Sequence, residues 1–188
     1  VTSLLPNHTG IFAPSQDDEE GLAIFVRSTI PIYKDGSVFV HRHRNAMCPG
    51  ENGSKLGRNL QYVEIQPDGD RITIINFHGL WNGQGKGDSP DRIEQSRKVR
   101  EFFDAAPGKC VLVGDFNLEP DTESLRILDM GLRNLVVDYG ITSTRSHHYT
   151  KPVKFADYII VSPDVKVNHF EVLKDSISDH LPLLLDFE

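Results

Sequence analysis

An apolar run, Val111-Leu112-Val113-Gly114, opens directly into Asp115-Phe116-Asn117. In extended backbone, residues two apart project to one side, which would set Asp115 beside Asn117 and turn Phe116 towards the core. A carboxylate next to an amide at a strand end can hold a metal, orient a water or donate to a phosphoryl oxygen. The same two residues can equally form an Asx turn that terminates the strand. Three further segments put polar groups where apolar runs end. Ile74-Ile75-Asn76-Phe77 is closed by His78, and Ser178-Asp179-His180 precedes the last apolar run. Phe155-Ala156-Asp157-Tyr158-Ile159-Ile160-Val161 embeds a carboxylate among apolar residues, where it needs a partner.

The elements that must position these groups are mostly strands. Gly21 to Val26, Ser37 to Arg42, Asn59 to Gln66, Arg71 to Phe77, Cys110 to Gly114, Ala156 to Val161, Val165 to Val172 and Leu183 to Phe187 have strand length and apolar character. Pro67-Asp68-Gly69-Asp70 reads as the turn joining the third and fourth of them. From Ser89 to Ala105 the period changes: Ser89 can cap, Pro90 suits the first turn, and Ile93, Val99, Phe102 and Phe103 make an apolar stripe. Pro120 to Met130 suggests a second, short helix. Strands that outnumber helices and adjoin as hairpins favour packed, mostly antiparallel sheets over a doubly wound parallel sheet.

With 188 residues, no repeats and no low-complexity linker, one domain over 1–188 is expected. The net charge of -7 argues against a general grip on duplex phosphates and leaves room for a local basic site. The clusters Arg42 to Arg44, Lys55 to Arg58 and Arg145 to Lys154 read as solvated loops. Gly79 to Gly87 is glycine-rich and exposed in character; Trp81 and Lys86 there could contact a substrate by stacking and by charge. Its other reading is a flexible loop whose tryptophan packs on the sheet edge. Arg145 and Tyr149 are candidates of the same kind. Two cysteines form no disulfide framework, which favours a reducing, cytoplasmic setting, and Cys110 reads as a small buried hydrophobe. No apolar run is long enough to span a bilayer, and a monomer is expected.

Gly114-Asp115-Phe116-Asn117, the Asp157-Tyr158 strand and Ser178-Asp179-His180 occur in an order that resembles the endonuclease/exonuclease/phosphatase family, and His78 after an apolar strand completes the pattern. The resemblance implies an α+β fold, a four-layer α/β/β/α sandwich of two mostly antiparallel sheets with the site at one end. It also implies a Mg2+-dependent hydrolase of phosphoester bonds, with Mn2+ as a substitute, acting on nucleic acid or a small phosphorylated molecule. Under it His180, oriented by Asp157, is an imidazolium donating to the phosphoryl group. Asp179 binds the cation together with Asp115, Asp115 also aligns the attacking water, and Asn117 and His78 bind phosphoryl oxygens. Trp81, Lys86 and Arg145 remain substrate-binding candidates.

Members of that family normally open with a strand ending in Asn and a strand ending in Gln-Glu, whose Glu is a principal metal ligand. Neither motif occurs in these residues, so the sequence is expected to lack the first strands of the family fold and, as given, to be close to inactive. Asp17 to Glu20 reads as a turn. A second reading, from another class, is a catalytically impaired member that binds nucleic acid or a protein partner.

Overall fold

The computed structural model describes residues 2–16, 19–44 and 56–188. Cys48, Lys55 and part of the Asp17–Glu20 turn lie outside the described residues.

Strands β1 (His8–Pro14) and β2 (Gly21–Arg27) form one antiparallel pair. They are followed by β3 (Ile32–His41), β4 (Arg58–Ile65) and β5 (Ile72–Phe77), then helix α1 (Pro90–Ala105) and β6 (Lys109–Asp115). The chain continues through α2 (Glu123–Asp129), β7 (Arg133–Asn134), α3 (Leu135–Asp138) and β8 (Asp157–Val161). A second pair, β9 (Val167–Val172) with β10 (Leu183–Phe187), closes it. Strands β3 to β8 form one six-stranded sheet in the order β3-β4-β5-β6-β8-β7. Only β5 and β6 run parallel, joined by α1 as the crossover a parallel pair requires. The fold is thus mixed α+β with mostly antiparallel sheets, as expected.

Three sequence assignments move. His8–Pro14, unassigned above, is a strand. β3 starts at Ile32 rather than Ser37, because its first half is an exposed sheet edge that needs no apolar alternation. The second helix begins only at Glu123, where the Thr122 hydroxyl accepts the Leu125 N–H at 3.3 Å and acts as the cap.

The two hairpins lie over one face of the large sheet. Side-chain amides anchor the first: Gln61 donates to the Ile11 carbonyl at 2.9 Å, and Asn59 and Asn76 reach the Ala13 and Ala23 carbonyls at 3.4 Å. Leu183 of the second hairpin lines a cleft of about 290 Å³ with Val113, Asp115, Asp157 and Ile159. The opposite face meets α1, where the Tyr62 and Phe102 rings pack at 5.1 Å. Phe116 stacks between Phe77 and Tyr158, with centroids at 5.5 and 5.2 Å.

Helix α1 departs from its expected stripe. Ser89 caps it and Val99 and Phe103 are buried, but Ile93 is only half-buried while Arg92, Gln95 and Ser96 turn inward. The reason is what this end of the helix faces, which is loop backbone. The Arg92 guanidinium donates to the carbonyls of Leu80, Gly85 and Gly87 at 3.1, 2.7 and 2.5 Å, and Gln95 accepts the Leu80 N–H at 2.8 Å. The glycine-rich loop is therefore pinned rather than free. Replacing Arg92, which is 2% exposed, by Leu strands those carbonyls. Arg92→Leu is expected to destabilise by roughly 3 kcal/mol and lower the melting temperature by about 6–12 °C. Thermal denaturation, with proteolysis at Gly83–Gly87 as a second readout, checks it.

Candidate active site

Strands β5 and β6 end where β4 and β8 begin. This alternation of direction gathers four chain positions at one rim of the sheet: Arg58 opens β4, His78 follows β5, Asp115 closes β6 and Asp157 opens β8. Asp115 and Asp157 are direct cross-strand partners. Two glycines make the approach of the rim segments possible. Gly114 sits at φ +138° with the Phe77 carbonyl where a Cβ would stand, and a Cβ on Gly79 would lie 1.9 Å from the Phe116 carbonyl oxygen.

The groups brought together make one network. His180 Nδ1 lies 2.8 Å from Asp157 Oδ1, and the Thr144 hydroxyl donates to Asp157 Oδ2 at 3.0 Å. Asp115 Oδ1 accepts the Asn117 N–H at 2.9 Å. Three nitrogen groups converge on the other oxygen, Asp115 Oδ2: His180 Nε2 at 3.6 Å, Arg145 Nη2 at 3.7 Å and His78 Nε2 at 4.0 Å. Burial, then the facing Asp157, lift the Asp115 carboxyl above its ordinary range. The hydrogen bond to Asp157 lifts His180 and favours its imidazolium. His78 goes the other way. Removal from water, then Arg58 and His180, push it down to about 4, although 43% of its side chain still meets solvent and screens part of that effect. Arg58 stands behind it, Nη1 being 3.4 Å from His78 Nδ1. The rim thus carries one histidine favouring the charged form and one favouring the neutral form.

The expected residues fall into place unequally. His78, Asp115, Asp157 and His180 converge. Asn117 does not project alongside Asp115, because the strand ends at Asp115 and Asn117 adopts a left-handed conformation, φ 53°, where strand alternation no longer applies. Its backbone forms the Asx turn, and its amide donates to the Gly79 carbonyl at 3.2 Å. Asp179 meets Arg145 Nη1 at 2.8 Å. Lys86, expected on an exposed loop, is 3% exposed and donates to the Phe155 carbonyl at 2.5 Å, because the pinned loop folds it inward. Trp81 is half-buried, with the Lys151 ammonium 5.3 Å above its ring. Arg145 is buried, so Arg145 to Lys154 is no simple solvated loop. Sequence reasoning missed Arg58 and Thr144. The first is recognisable only once β4 is known to start beside the end of β5. The second carries no signal, since a threonine in a polar segment is unremarked until its hydroxyl is seen to accept the Ala156 and Asp157 N–H groups.

Asp115, Asp157 and His180 offer ligand atoms within 4.8 Å of one another, a set that could hold a metal ion. His180 Nδ1 and Asp157 are committed to each other and to Thr144. Asp115 lines the cleft beside Asp157, and Arg145 links Asp115 to Asp179. Mg2+ keeps most of its water and needs only one or two carboxylates besides substrate oxygens, so the residues present fit it.

A family model described as the Endonuclease/Exonuclease/phosphatase family matches residues 2–180. The chain belongs to that family. Among solved structures it is similar to an endonuclease/exonuclease/phosphatase family protein of Bacteroides thetaiotaomicron, with 21% identity and TM-score 0.78 over 99% of this chain and 75% of that one. It is also similar to a mannosyl-6-phosphatase of the same organism, with 20% identity and TM-score 0.77 over 100% and 79%. A third is TDP2 of D. rerio in complex with a single-strand DNA product, with 17% identity and TM-score 0.74 over 100% and 79%. At these identities the likeness concerns the fold. No curated protein matches the sequence. Among the described residues no helix is long and apolar enough to cross a membrane.

The Asp157–His180 bond sets a measurable expectation. Asp157→Asn removes the largest cause of the raised His180 pKa, so that pKa should fall in an NMR titration of the imidazole. A raised histidine pKa stabilises the fold below the unfolded value of 6.5 and loses this contribution as pH climbs through the folded value. The stability advantage of the wild type over Asp157→Asn should therefore be largest at mildly acidic pH and shrink above it.

Proposed function

We propose that this protein is a metal-dependent hydrolase of phosphoester bonds. The observation that carries the reading is the convergence of His180, Arg145 and His78 on the free oxygen of Asp115. A carboxylate that can take a proton stands inside a ring of donors suited to a phosphoryl group. Family membership and the likeness to a phosphatase and to TDP2 support the same reading.

A phosphoryl group enters among Arg58, His78, Arg145 and His180. Asp115 orients a water and accepts its proton as the water oxygen bonds to phosphorus and the ester P–O bond opens on the opposite side; the departing oxygen takes a proton from solvent. The His180 imidazolium, held by Asp157, donates to a non-bridging oxygen where charge grows. His78, kept neutral, serves as a hydrogen-bond donor through Nε2, since Nδ1 faces the Arg58 guanidinium. Asp115 and Asp179 would hold Mg2+, or Mn2+ in its place, which would supply positive charge against the phosphoryl oxygens. Both a diester and a monoester fit this chemistry.

Hydrolysis of bis(p-nitrophenyl) phosphate and of p-nitrophenyl phosphate tests the reading. Activity should vanish with a chelator and return with Mg2+ or Mn2+. His180→Ala should lower kcat by about 10²–10⁴-fold. Asp115 must be ionised and His180 protonated. The rate should therefore rise with pH above the ordinary Asp value of 3.8 and fall again above the ordinary His value of 6.5, the second limb disappearing in His180→Ala. Undiminished turnover by His180→Ala sinks the assignment, and phosphate binding without any turnover favours a catalytically impaired binding module.

A further inference from the structure

Beside the site, four cations crowd around two aromatic rings. The Tyr149 ring has the Arg145 guanidinium at 4.5 Å and the ammoniums of Lys86 and Lys154 at 5.3 and 5.4 Å, while Lys151 sits over Trp81. Lys86 and Lys154 are satisfied by main-chain carbonyls, those of Phe155 and Tyr149. Among the described residues none of the three lysines has an ion-pair partner, while Arg145 holds Asp179 at 2.8 Å and faces Asp115 at 3.7 Å. The Arg145 side chain is 5% exposed and its Nε donor has no partner. Burial, then the neighbouring Arg145, drive the Lys86 ammonium down to about 8. A chain of net charge -7 that gathers four cations here, three of them lysines with no ion-pair partner among the described residues, holds a place for an anion.

Arg145 belongs to both regions, since Nη2 faces Asp115 and its guanidinium plane lies on Tyr149. The second anion is thus a close neighbour of the scissile phosphoryl group and rides on the same substrate. Trp81, two residues past Gly79 and half-buried, offers a ring at the same rim. We infer that Lys86, Arg145, Lys151 and Lys154 around Tyr149 form a subsite for a second phosphate of a nucleotide substrate, with the base of that nucleotide stacking on Trp81. The inference rests on the phosphoester-hydrolase reading. It narrows the substrate to oligonucleotide or nucleoside bisphosphate chemistry, where a phosphate and a planar base occur together.

Trp81 is the sole tryptophan, so its fluorescence reports base stacking directly. The full chain is titrated in chelator, which prevents turnover, with thymidine 3′,5′-bisphosphate, thymidine 5′-monophosphate and a sugar bisphosphate. Affinity is taken from calorimetry and stacking from fluorescence. The bisphosphate nucleotide should bind about tenfold tighter than the monophosphate, the gain of one charge-assisted phosphate contact, and should quench Trp81. Lys151→Met/Lys154→Met should remove that advantage and leave the monophosphate within about twofold of its original affinity. Equal affinities for the two nucleotides, or parallel loss of both in the double variant, overturn the subsite alone. A sugar bisphosphate that binds as well as the nucleotide, with Trp81 unquenched throughout, overturns the nucleotide assignment. Failure of every ligand, with no competition by inorganic phosphate, overturns the hydrolase reading as well.

Discussion

Asp115 and Asp157 face each other across the β6–β8 register, at the point where both strands stop being flanked by apolar neighbours. Like charges in directly opposed sheet positions repel, and here they are also partly withdrawn from water. The pair is tolerated because every neighbouring segment brings a donor to it. The Asn117 main-chain N–H and the Thr144 hydroxyl arrive from the loops after β6 and before β8, and His180 from the turn before β10. Arg145 bridges from Asp115 to Asp179. Without these donors one carboxyl would have to take up a proton, and the raised Asp115 value is the part of that tension which remains.

The surrounding backbone follows from this requirement. Asn117 gives its N–H to Asp115 and itself turns left-handed, a conformation an asparagine accepts more readily than most residues. The segment after β5 must lie against β6 closely enough for the Gly79 N–H to reach the Asp115 carbonyl at 2.7 Å, which excludes a side chain at position 79. Arg92 then holds the remainder of that loop in place. Its buried charge donates to three carbonyls, with Asp88 and Glu119 near enough to favour it, so losing it would unfix the loop that carries Lys86 and Trp81. The bridge between Arg145 and His180 ties the last two segments together.

Much of this could be read from residue types. A carboxylate inside the apolar run Ala156 to Val161 announced a partner, and His180 is that partner; apolar runs closed by His78 and Asp115 announced a shared rim. What could not be read was anything set by strand direction or by loop closure. Arg58 looked like part of a solvated basic cluster, because its role depends on β4 starting where β5 ends. Lys86 looked exposed because glycines surround it, whereas Arg92 and the Phe155 carbonyl draw it inward. The two-residue alternation that placed Asn117 beside Asp115 holds only while the strand lasts. Ile93 was assigned inward by helical period, yet that end of α1 faces main-chain oxygens, which polar side chains satisfy better.

The charge distribution connects the scaffold to substrate choice. An overall excess of acid disfavours a long polyanion along the surface, since repulsion grows with every phosphate outside the basic patch. Several positive groups are instead gathered around the Tyr149 ring, and two of them, Arg145 and Lys86, are buried, where each interaction is less screened than at the surface. Such an arrangement favours a ligand whose negative charge is compact, one or two phosphates wide. The aromatic rings do not weaken this, because a cation over a ring face gains attraction without being neutralised and stays available to an incoming anion. Under the proposed function, the same acidic surface that disfavours extended duplexes would sharpen preference for a short phosphorylated end, and would do so with no contact to the reacting groups themselves.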